Sequence, residues 1–78
     1  MADILLAKLI GDNVLAARIL AGWTQQQLSD ATGIRKPHIS RLEHGGRVPD
    51  VVTLKKIADA LGVRVCKLID VPAEKGKK

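Results

Sequence analysis

Aromatic residues and cysteines are almost absent from this sequence, which has one tryptophan, one cysteine and no tyrosine or phenylalanine in 78 residues. The core must therefore be built from leucine, isoleucine, valine and alanine, which supply most of the 46% hydrophobic share. The single cysteine, Cys66, excludes an internal disulfide and a multi-cysteine zinc site, and it fits a reducing compartment. A chain of this length lies near the lower size limit for folding without such cross-links, so we predict one small domain.

Strand-like alternation and membrane-spanning runs are also missing. Without alternation of apolar and polar residues over a useful length, a β fold is disfavoured and a helical bundle is favoured. The apolar residues 4–10 are too few to span a membrane. They follow Asp3 and not a basic segment, which argues against a signal peptide. We expect a cytoplasmic protein, associated with the nucleoid if it binds DNA.

No spacing typical of a catalytic or metal-binding site is present. His38 and His44 are six residues apart, without a carboxylate or thiol at ligand spacing. On a helix, His38 and Ser40 would point in different directions. The sequence therefore predicts no enzyme, no metal and no cofactor.

Positive charge is in excess and unevenly distributed. The net charge is +5, from 13 Lys and Arg against 8 Asp and Glu. From Arg35 to Arg47 there are four Lys or Arg and two His, but the only acid is Glu43. Such a stripe is typical of a surface that binds nucleic-acid phosphates, although a solvated protein face has the same composition.

Residues 24–43 predict two short helices joined by a tight turn. Thr24 and Gln27 have the spacing of a capping box at the start of the first helix. Gly33 is suited to a left-handed helix end. Pro37 fits the first turn of the second helix, because no intrahelical N–H is needed there. The apolar residues predicted to face the core are Leu28, Ala31, Ile34, Ile39 and Leu42.

The remaining segments complete an all-α, compact bundle of about five short helices, none longer than about ten residues. Residues 1–12 form a short apolar N-terminal extension that packs on the bundle or pairs with another chain, residues 13–70 form the main domain, and residues 71–78 form a basic, disordered tail. Asp12 or Asn13 is predicted to cap the first helix of the domain, and Asp50 the fourth. The other residues predicted to face inward are Leu15, Ile19, Leu20, Val51, Leu54, Ile57, Ala58, Leu61, Val65, Leu68 and Ile69.

From Gln25 to Glu43 the chain has the pattern Q-x-x-L-S-x-x-x-G-I-x-x-x-x-I-S-x-x-E. This pattern resembles the lambda-repressor/Cro-like, or xenobiotic-response-element type, helix-turn-helix family, and the similarity extends over residues 13–69. Two positions depart from the family: Ser29, where alanine is usual, and Pro37, where many members carry a polar base-reading side chain. The resemblance implies a DNA-binding transcriptional regulator, most simply a repressor, whose recognition helix at residues 36–44 lies in the major groove of double-stranded DNA.

The resemblance also implies roles for individual residues. The residues expected to contact bases are Lys36, Pro37, His38 and Arg41. The residues expected to contact phosphates are Gln25, Arg35, Ser40, His44 and Arg47. Arg18 is expected to form a structural ion pair with Glu43, which would tie the first helix of the domain to the recognition helix.

A recognition helix contacts only a few base pairs, so the resemblance also implies a homodimer on an inverted repeat. The candidate dimer surfaces are the last short helix, with Val63, Val65, Cys66 and Ile69, and the apolar N-terminal segment. An alternative function is that of an antitoxin, which binds a toxin protein and represses its own operon.

Overall fold

The computed structural model describes residues 2–69, with side chains from residue 5 onward, so the predicted tail at residues 71–78 lies outside the described residues. The helices are α1 (Ala2–Leu20), α2 (Gln25–Thr32), α3 (Lys36–Glu43), α4 (Val51–Leu61) and α5 (Val65–Leu68). The described part of the chain contains no strand, and the predicted all-α bundle is confirmed. None of its helices is long and apolar enough to cross a membrane.

α1 is one continuous helix of 19 residues. The predicted helix start at Asp12 or Asn13 is therefore wrong, and so is the expectation that no helix exceeds about ten residues. Neither side chain acts as a cap: the Asp12 carboxylate accepts a hydrogen bond from Lys8 Nζ at 3.0 Å, and Asn13 Nδ2 donates to the Leu68 carbonyl at 2.9 Å. The second bond attaches the middle of α1 to α5.

The inward face of α1 is also different from the one predicted. Ile10 and Val14 are buried in the core, whereas Ile19 and Leu20 are 60% and 84% exposed. An α-helix turns about 100° per residue, which places Ile19 and Leu20 more than a quarter turn away from Val14. The first half of α1 packs on the bundle, as one of the two alternatives predicted, because Ala7 and Ile10 are both buried.

The turn between α2 and α3 forms as its short-range signals predict. Thr24 Oγ1 accepts from the Gln27 N–H at 3.0 Å, and Gln27 Oε1 accepts from the Thr24 N–H at 2.8 Å, which completes the capping box. Gly33 ends α2 with φ of 78°, a left-handed angle that a residue without Cβ adopts readily. Pro37 lies in the first turn of α3.

The core lies where α1, α2, α3, α4 and α5 meet. Its buried residues are Ile10, Val14, Leu28, Ile39, Leu42, Leu54, Ile57, Ala58 and Leu68. Besides Ile19 and Leu20, three residues predicted to face inward do not: Ala31 is exposed, Val51 is 74% exposed and Ile69 is 43% exposed. Val51 is the first residue of α4, and Ile69 directly follows the last residue of α5. At these helix ends the apolar side of the helix does not contact the core.

A close approach between α1 and α3 fixes the C-terminal end of α3. A Cβ added to Gly11 would lie 2.5 Å from the Leu42 carbonyl oxygen and 3.0 Å from the Glu43 carbonyl oxygen. Just after α3, Gly45 has φ of +75°, and a Cβ there would lie 3.0 Å from Lys8 Cα. The N-terminal half of α1 therefore supports the end of α3 and the turn that follows it.

Candidate nucleic-acid interface

The outer face of α3 and its flanking turns carry the basic stripe identified in the sequence. Ile39 and Leu42 are buried, which fixes the rotation of α3 and directs the opposite face to solvent. All the basic residues of this segment are exposed: Arg35, Lys36, His38, Arg41, His44 and Arg47. The surface they form is called the basic face below.

The residues predicted to contact bases do not all lie on the same side of α3. Arg41 follows His38 by three residues and Pro37 by four, so these three exposed residues lie on neighbouring parts of one side of α3. Lys36 is also exposed, but it lies about 140° around the helix from Arg41. His38 in addition lines a cleft together with Asp50 and Thr53 of α4 and its cap. The structure therefore places Pro37, His38 and Arg41 near one another and Lys36 at the edge of this group.

Glu43, the only acid of this segment, lies beneath the basic face and is paired. Its side chain is 3% exposed and that of Arg18 is 12% exposed. Arg18 Nε donates to Glu43 Oε2 at 2.6 Å, and Arg18 Nη2 donates to Oε1 at 3.1 Å. Arg18 Nη1 also donates to the Trp23 carbonyl at 2.8 Å. The ion pair thus connects α1, the turn before α2 and the end of α3.

Gln25, predicted to contact phosphate, makes a contact that sequence reasoning missed. Its Nε2 donates to Glu43 Oε1 at 2.9 Å, so the first residue of α2 joins the buried ion pair. An amide nitrogen has two N–H donors, so the second remains for a phosphate oxygen. The capping box uses the backbone N–H groups of Thr24 and Gln27, and it leaves those of Gln25 and Gln26 pointing out of the helix N-terminus. No local sequence signal indicates the bond to Glu43, because the two residues are 18 positions apart.

His44 and Ser40, both predicted to contact phosphate, are joined by a hydrogen bond between the His44 ring and the Ser40 backbone. His44 Nδ1 lies 2.7 Å from the Ser40 carbonyl oxygen. Because a carbonyl can only accept, Nδ1 carries the proton and donates, and Nε2 of the neutral ring is then an acceptor. A phosphate contact through Nε2 therefore requires the protonated ring. Ser40 is partly buried and has less access to a ligand than its neighbours.

The cleft beside His38 separates α3 from the start of α4. It is also lined by Leu42, Arg47, Val48 and Pro49. Asp50 caps α4 by accepting the Thr53 N–H at 2.8 Å. This backbone hydrogen bond holds the pKa of Asp50 below its ordinary value of 3.8, and the Thr53 hydroxyl, Lys56 and His38 act in the same direction. Among the described residues no cluster of three or more His, Cys, Asp or Glu side chains is suited to a metal.

We expect the contribution of the Asp50 cap to stability to disappear in acid. The lowered pKa means that the folded state favours the carboxylate. The cap therefore contributes fully above the pKa of Asp50 in the unfolded chain, and its contribution is lost as the pH falls through the pKa of Asp50 in the folded protein. Asp50→Asn is the control, because asparagine also caps a helix but does not titrate. Urea unfolding gives the free energy of unfolding of both proteins. The difference between them should be constant above about pH 5, and below that pH the parent protein should lose stability relative to the variant. A difference independent of pH would show that the cap does not depend on the charge of Asp50.

Two short helices joined through a glycine turn, with a basic outer face on the second, have the arrangement of a helix-turn-helix motif, whose second helix enters the major groove of DNA. The chain belongs to the lambda-repressor/Cro-like helix-turn-helix family, whose helix-turn-helix model matches residues 14–68. It is therefore a DNA-binding transcriptional regulator of the helix-turn-helix type. This family consists of regulators and not of enzymes, in agreement with the absence of catalytic spacing in the sequence.

Individual relatives support this assignment. The chain is 39% identical over 62 residues to an uncharacterized HTH-type transcriptional regulator, y4dJ, from Sinorhizobium fredii, with 80% of each chain covered. It is 33% identical over 67 residues to the HTH-type transcriptional regulator SutR from Escherichia coli, and there it spans only 38% of the length of the relative. Its fold is similar to the crystal structure of a hypothetical transcription factor, NHTF, from Neisseria, with a TM-score of 0.84 and 28% identity over 92% of this chain and 83% of that one.

Proposed function

We propose that this protein is a sequence-specific repressor that binds an inverted-repeat operator as a homodimer in the cytoplasm, on the nucleoid. The observation that carries the proposal is the separation of charge at α3. The acid of the segment, Glu43, is buried and paired with Arg18, and the basic residues are exposed. An unpaired carboxylate on this face would repel phosphates, so its burial leaves a surface of one sign for DNA.

The proposed specificity resides in the side of α3 that carries Pro37, His38 and Arg41, with Lys36 at its edge. With α3 in the major groove, the Arg41 guanidinium can donate two hydrogen bonds to O6 and N7 of a guanine. Lys36 can donate to a guanine through a single flexible ammonium, so it discriminates less well. Pro37 has no side-chain donor, and its contribution is contact with a thymine methyl in addition to starting the helix. His38, three residues before Arg41, lies on the same side of α3 and contacts a base edge or a phosphate beside the cleft.

The proposed phosphate contacts surround the base-reading side. Arg35 precedes α3, Arg47 follows it, and both are exposed. Gln25 uses its second amide N–H at the N-terminus of α2, where the helix dipole favours an anion. Contacts of this kind orient the protein on the duplex without reading its sequence.

The test is binding to the DNA immediately upstream of the gene for this protein, compared with scrambled DNA of equal length at several salt concentrations. We expect a preference of about 10³-fold or more for the specific site. Equal binding to both DNAs, with a strong salt dependence, would contradict autoregulation and would direct attention to a partner protein, as the antitoxin alternative requires. The described residues provide no observation that favours a toxin over DNA.

In the same assay, Arg41→Ala should reduce discrimination between the operator and variants of one base pair by about 10- to 100-fold, because a bidentate contact to guanine is lost. Arg47→Ala is the matched control: it removes another exposed arginine, but one placed to contact phosphate. It should weaken binding to all sequences alike and reduce the slope of log affinity against log salt by about 1. If Arg41→Ala binds the operator as tightly and as selectively as the parent protein, the proposed orientation of α3 in the groove is incorrect.

A further inference from the structure

The turn that follows α3 is closed by two backbone hydrogen bonds. The Gly45 N–H donates to the Leu42 carbonyl at 3.0 Å. The Gly46 N–H donates to the Arg41 carbonyl at 2.9 Å. Together with the left-handed φ of +75° at Gly45, these bonds form a Schellman motif, in which the second residue after the helix cap lies beside the third residue from the helix end. Gly46 therefore lies beside Arg41, the residue proposed to read a guanine.

The two glycines of this turn have different neighbours and different backbone conformations. Gly45 has a positive φ, which glycine adopts most readily. Gly46 does not have a positive φ, so its backbone conformation does not require glycine. A Cβ added to Gly46 would lie 2.6 Å from Arg41 Cγ and 3.4 Å from Arg41 Cδ. The space that a side chain at this position would need is therefore filled by the stem of Arg41.

The contact with Gly46 acts on the stem of Arg41 and not on its charged end. The Arg41 side chain is exposed, and no ion pair within the described part of the chain includes it. An arginine side chain in water populates many rotamers, and holding it in one of them costs conformational entropy. Methylene groups that pack on the backbone of Gly46 reduce the number of these rotamers, so less order has to be imposed when the guanidinium binds.

The turn on which the Arg41 stem lies is supported from its other side by α1. A Cβ added to Gly45 would lie 3.0 Å from Lys8 Cα and 3.3 Å from Lys8 N, both backbone atoms of α1. At such distances the turn cannot move toward α1 without a clash. The Arg41 stem therefore packs against a backbone segment that is held in place.

We propose that Gly46 is a positioning residue for base recognition by Arg41, an inference that rests on the proposed contact of Arg41 with a base. The missing side chain at Gly46 lets the Arg41 stem lie on the turn, and this contact sets the direction in which the guanidinium leaves α3. Bidentate recognition of guanine requires two N–H donors to be in place together, so it depends on this direction. Gly46 thus controls how strictly the guanine is read, although it has no side chain of its own to contact DNA.

The first experiment measures binding of Gly46→Ala to the operator and to its variants of one base pair. Discrimination at the base pair where Arg41→Ala loses it should fall by about 5-fold or more in Gly46→Ala, and by no more than in Arg41→Ala. Discrimination at the other base pairs of the half-site should change by less than about 2-fold. The added methyl group displaces the Arg41 stem and leaves the other base-reading side chains of α3 in place. A uniform loss of affinity for all sequences would overturn the inference.

The matched control is the same substitution in the Arg41→Ala background. A Cβ at position 46 would also lie 3.1 Å from the Arg41 carbonyl oxygen, and this backbone contact is the same in both backgrounds. Without the arginine stem, Gly46→Ala should change discrimination by less than about 2-fold. An equal loss in both backgrounds would show that Gly46 acts through the turn and would overturn the positioning role.

The single variants distinguish this inference from the proposed function. A loss of discrimination in Arg41→Ala with none in Gly46→Ala would overturn the positioning role and leave the base contact of Arg41 intact. Unchanged discrimination in Arg41→Ala would contradict the base contact itself, and the inference would fall with it.

The second experiment requires no DNA and no variant that could fail to fold. In isotope-labelled parent protein, nuclear Overhauser effects should connect the Hγ and Hδ protons of Arg41 with the Hα protons of Gly46, because the two groups are in contact. In Gly46→Ala, the effects from the Arg41 side chain to the backbone of residue 46 should weaken, since the stem has to leave the turn. Absence of these effects in the parent protein would overturn the inference, whatever the result with DNA.

Discussion

Replacement of Glu43 by alanine is expected to lower the free energy of unfolding by about 3–5 kcal/mol in the absence of DNA. The substitution leaves the Arg18 guanidinium largely buried with one remaining partner, the Trp23 carbonyl. It also removes the acceptor of the Gln25 amide. A buried charge without its counter-ion must be desolvated with little compensation, which is more costly than the loss of an exposed ion pair. Urea unfolding monitored by circular dichroism measures the change.

Two variants distinguish the cost of an unpaired buried Arg18 from the loss of a single hydrogen bond and from the removal of both charges. Gln25→Ala removes one hydrogen bond to Glu43 but keeps the ion pair, so it should lower stability by only about 0.5–1.5 kcal/mol. The double substitution Arg18→Met with Glu43→Leu removes both charges, and it should be markedly more stable than Glu43→Ala alone. An unchanged melting midpoint for Glu43→Ala would mean that the pair does not hold α1 to α3.

The second large effect is expected at Gly11. In an exposed helix interior, Gly→Ala normally stabilises by about 1 kcal/mol, because alanine has the higher helix propensity. At Gly11 we expect the opposite sign, because the added Cβ would lie 2.5 Å from the Leu42 carbonyl oxygen, which is a backbone atom and cannot rotate away. Forcing α1 away from α3 should destabilise by about 1–3 kcal/mol after the gain in propensity is offset. Thermal unfolding should show a lower midpoint.

The matched control for Gly11→Ala lies on the same helix. Ala16 is exposed, so Ala16→Gly reports the helix propensity of α1 without a change in packing and should be less stable by about 1 kcal/mol. If Gly11→Ala and Ala16→Gly both lower the melting midpoint, Gly11 is required for the close approach of α1 to α3. A higher midpoint for Gly11→Ala would show that α1 can move away from the end of α3 at little cost.

Most predictions that rested on short-range signals agree with the structure, and the exception is the helix cap at Asp12 or Asn13, which lies inside α1. The capping box of Thr24 and Gln27, the left-handed Gly33 and the Asp50 cap each depend on atoms within about three residues, which the sequence places together by itself. Predictions that depended on the rotation of a whole helix were less accurate. Val51 fits the apolar spacing of α4 but is exposed, because spacing alone does not say where along its length a helix meets the core.

In the candidate nucleic-acid interface, too, the local features follow from the sequence and the contacts between helices do not. The residue types of the basic stripe and their concentration between Arg35 and Arg47 are properties of the sequence. The inward direction of Glu43 and the bond from Gln25 follow from the packing of α1, α2 and α3 around one carboxylate. The side of α3 on which His38 lies likewise follows from the burial of Ile39 and Leu42.

By itself, the sequence determined the helical class, the helix-turn-helix and its family, and the sign of charge on the outer face of α3, because helix caps, glycine turns and net charge act over a few residues. Only the tertiary structure decided that α1 continues through Asp12 and Asn13, that Gly11 is pressed against the end of α3, and that Gln25 joins the buried ion pair. These features depend on which surfaces of separate helices meet, and burial against a neighbour outweighs a local capping preference of about 1 kcal/mol.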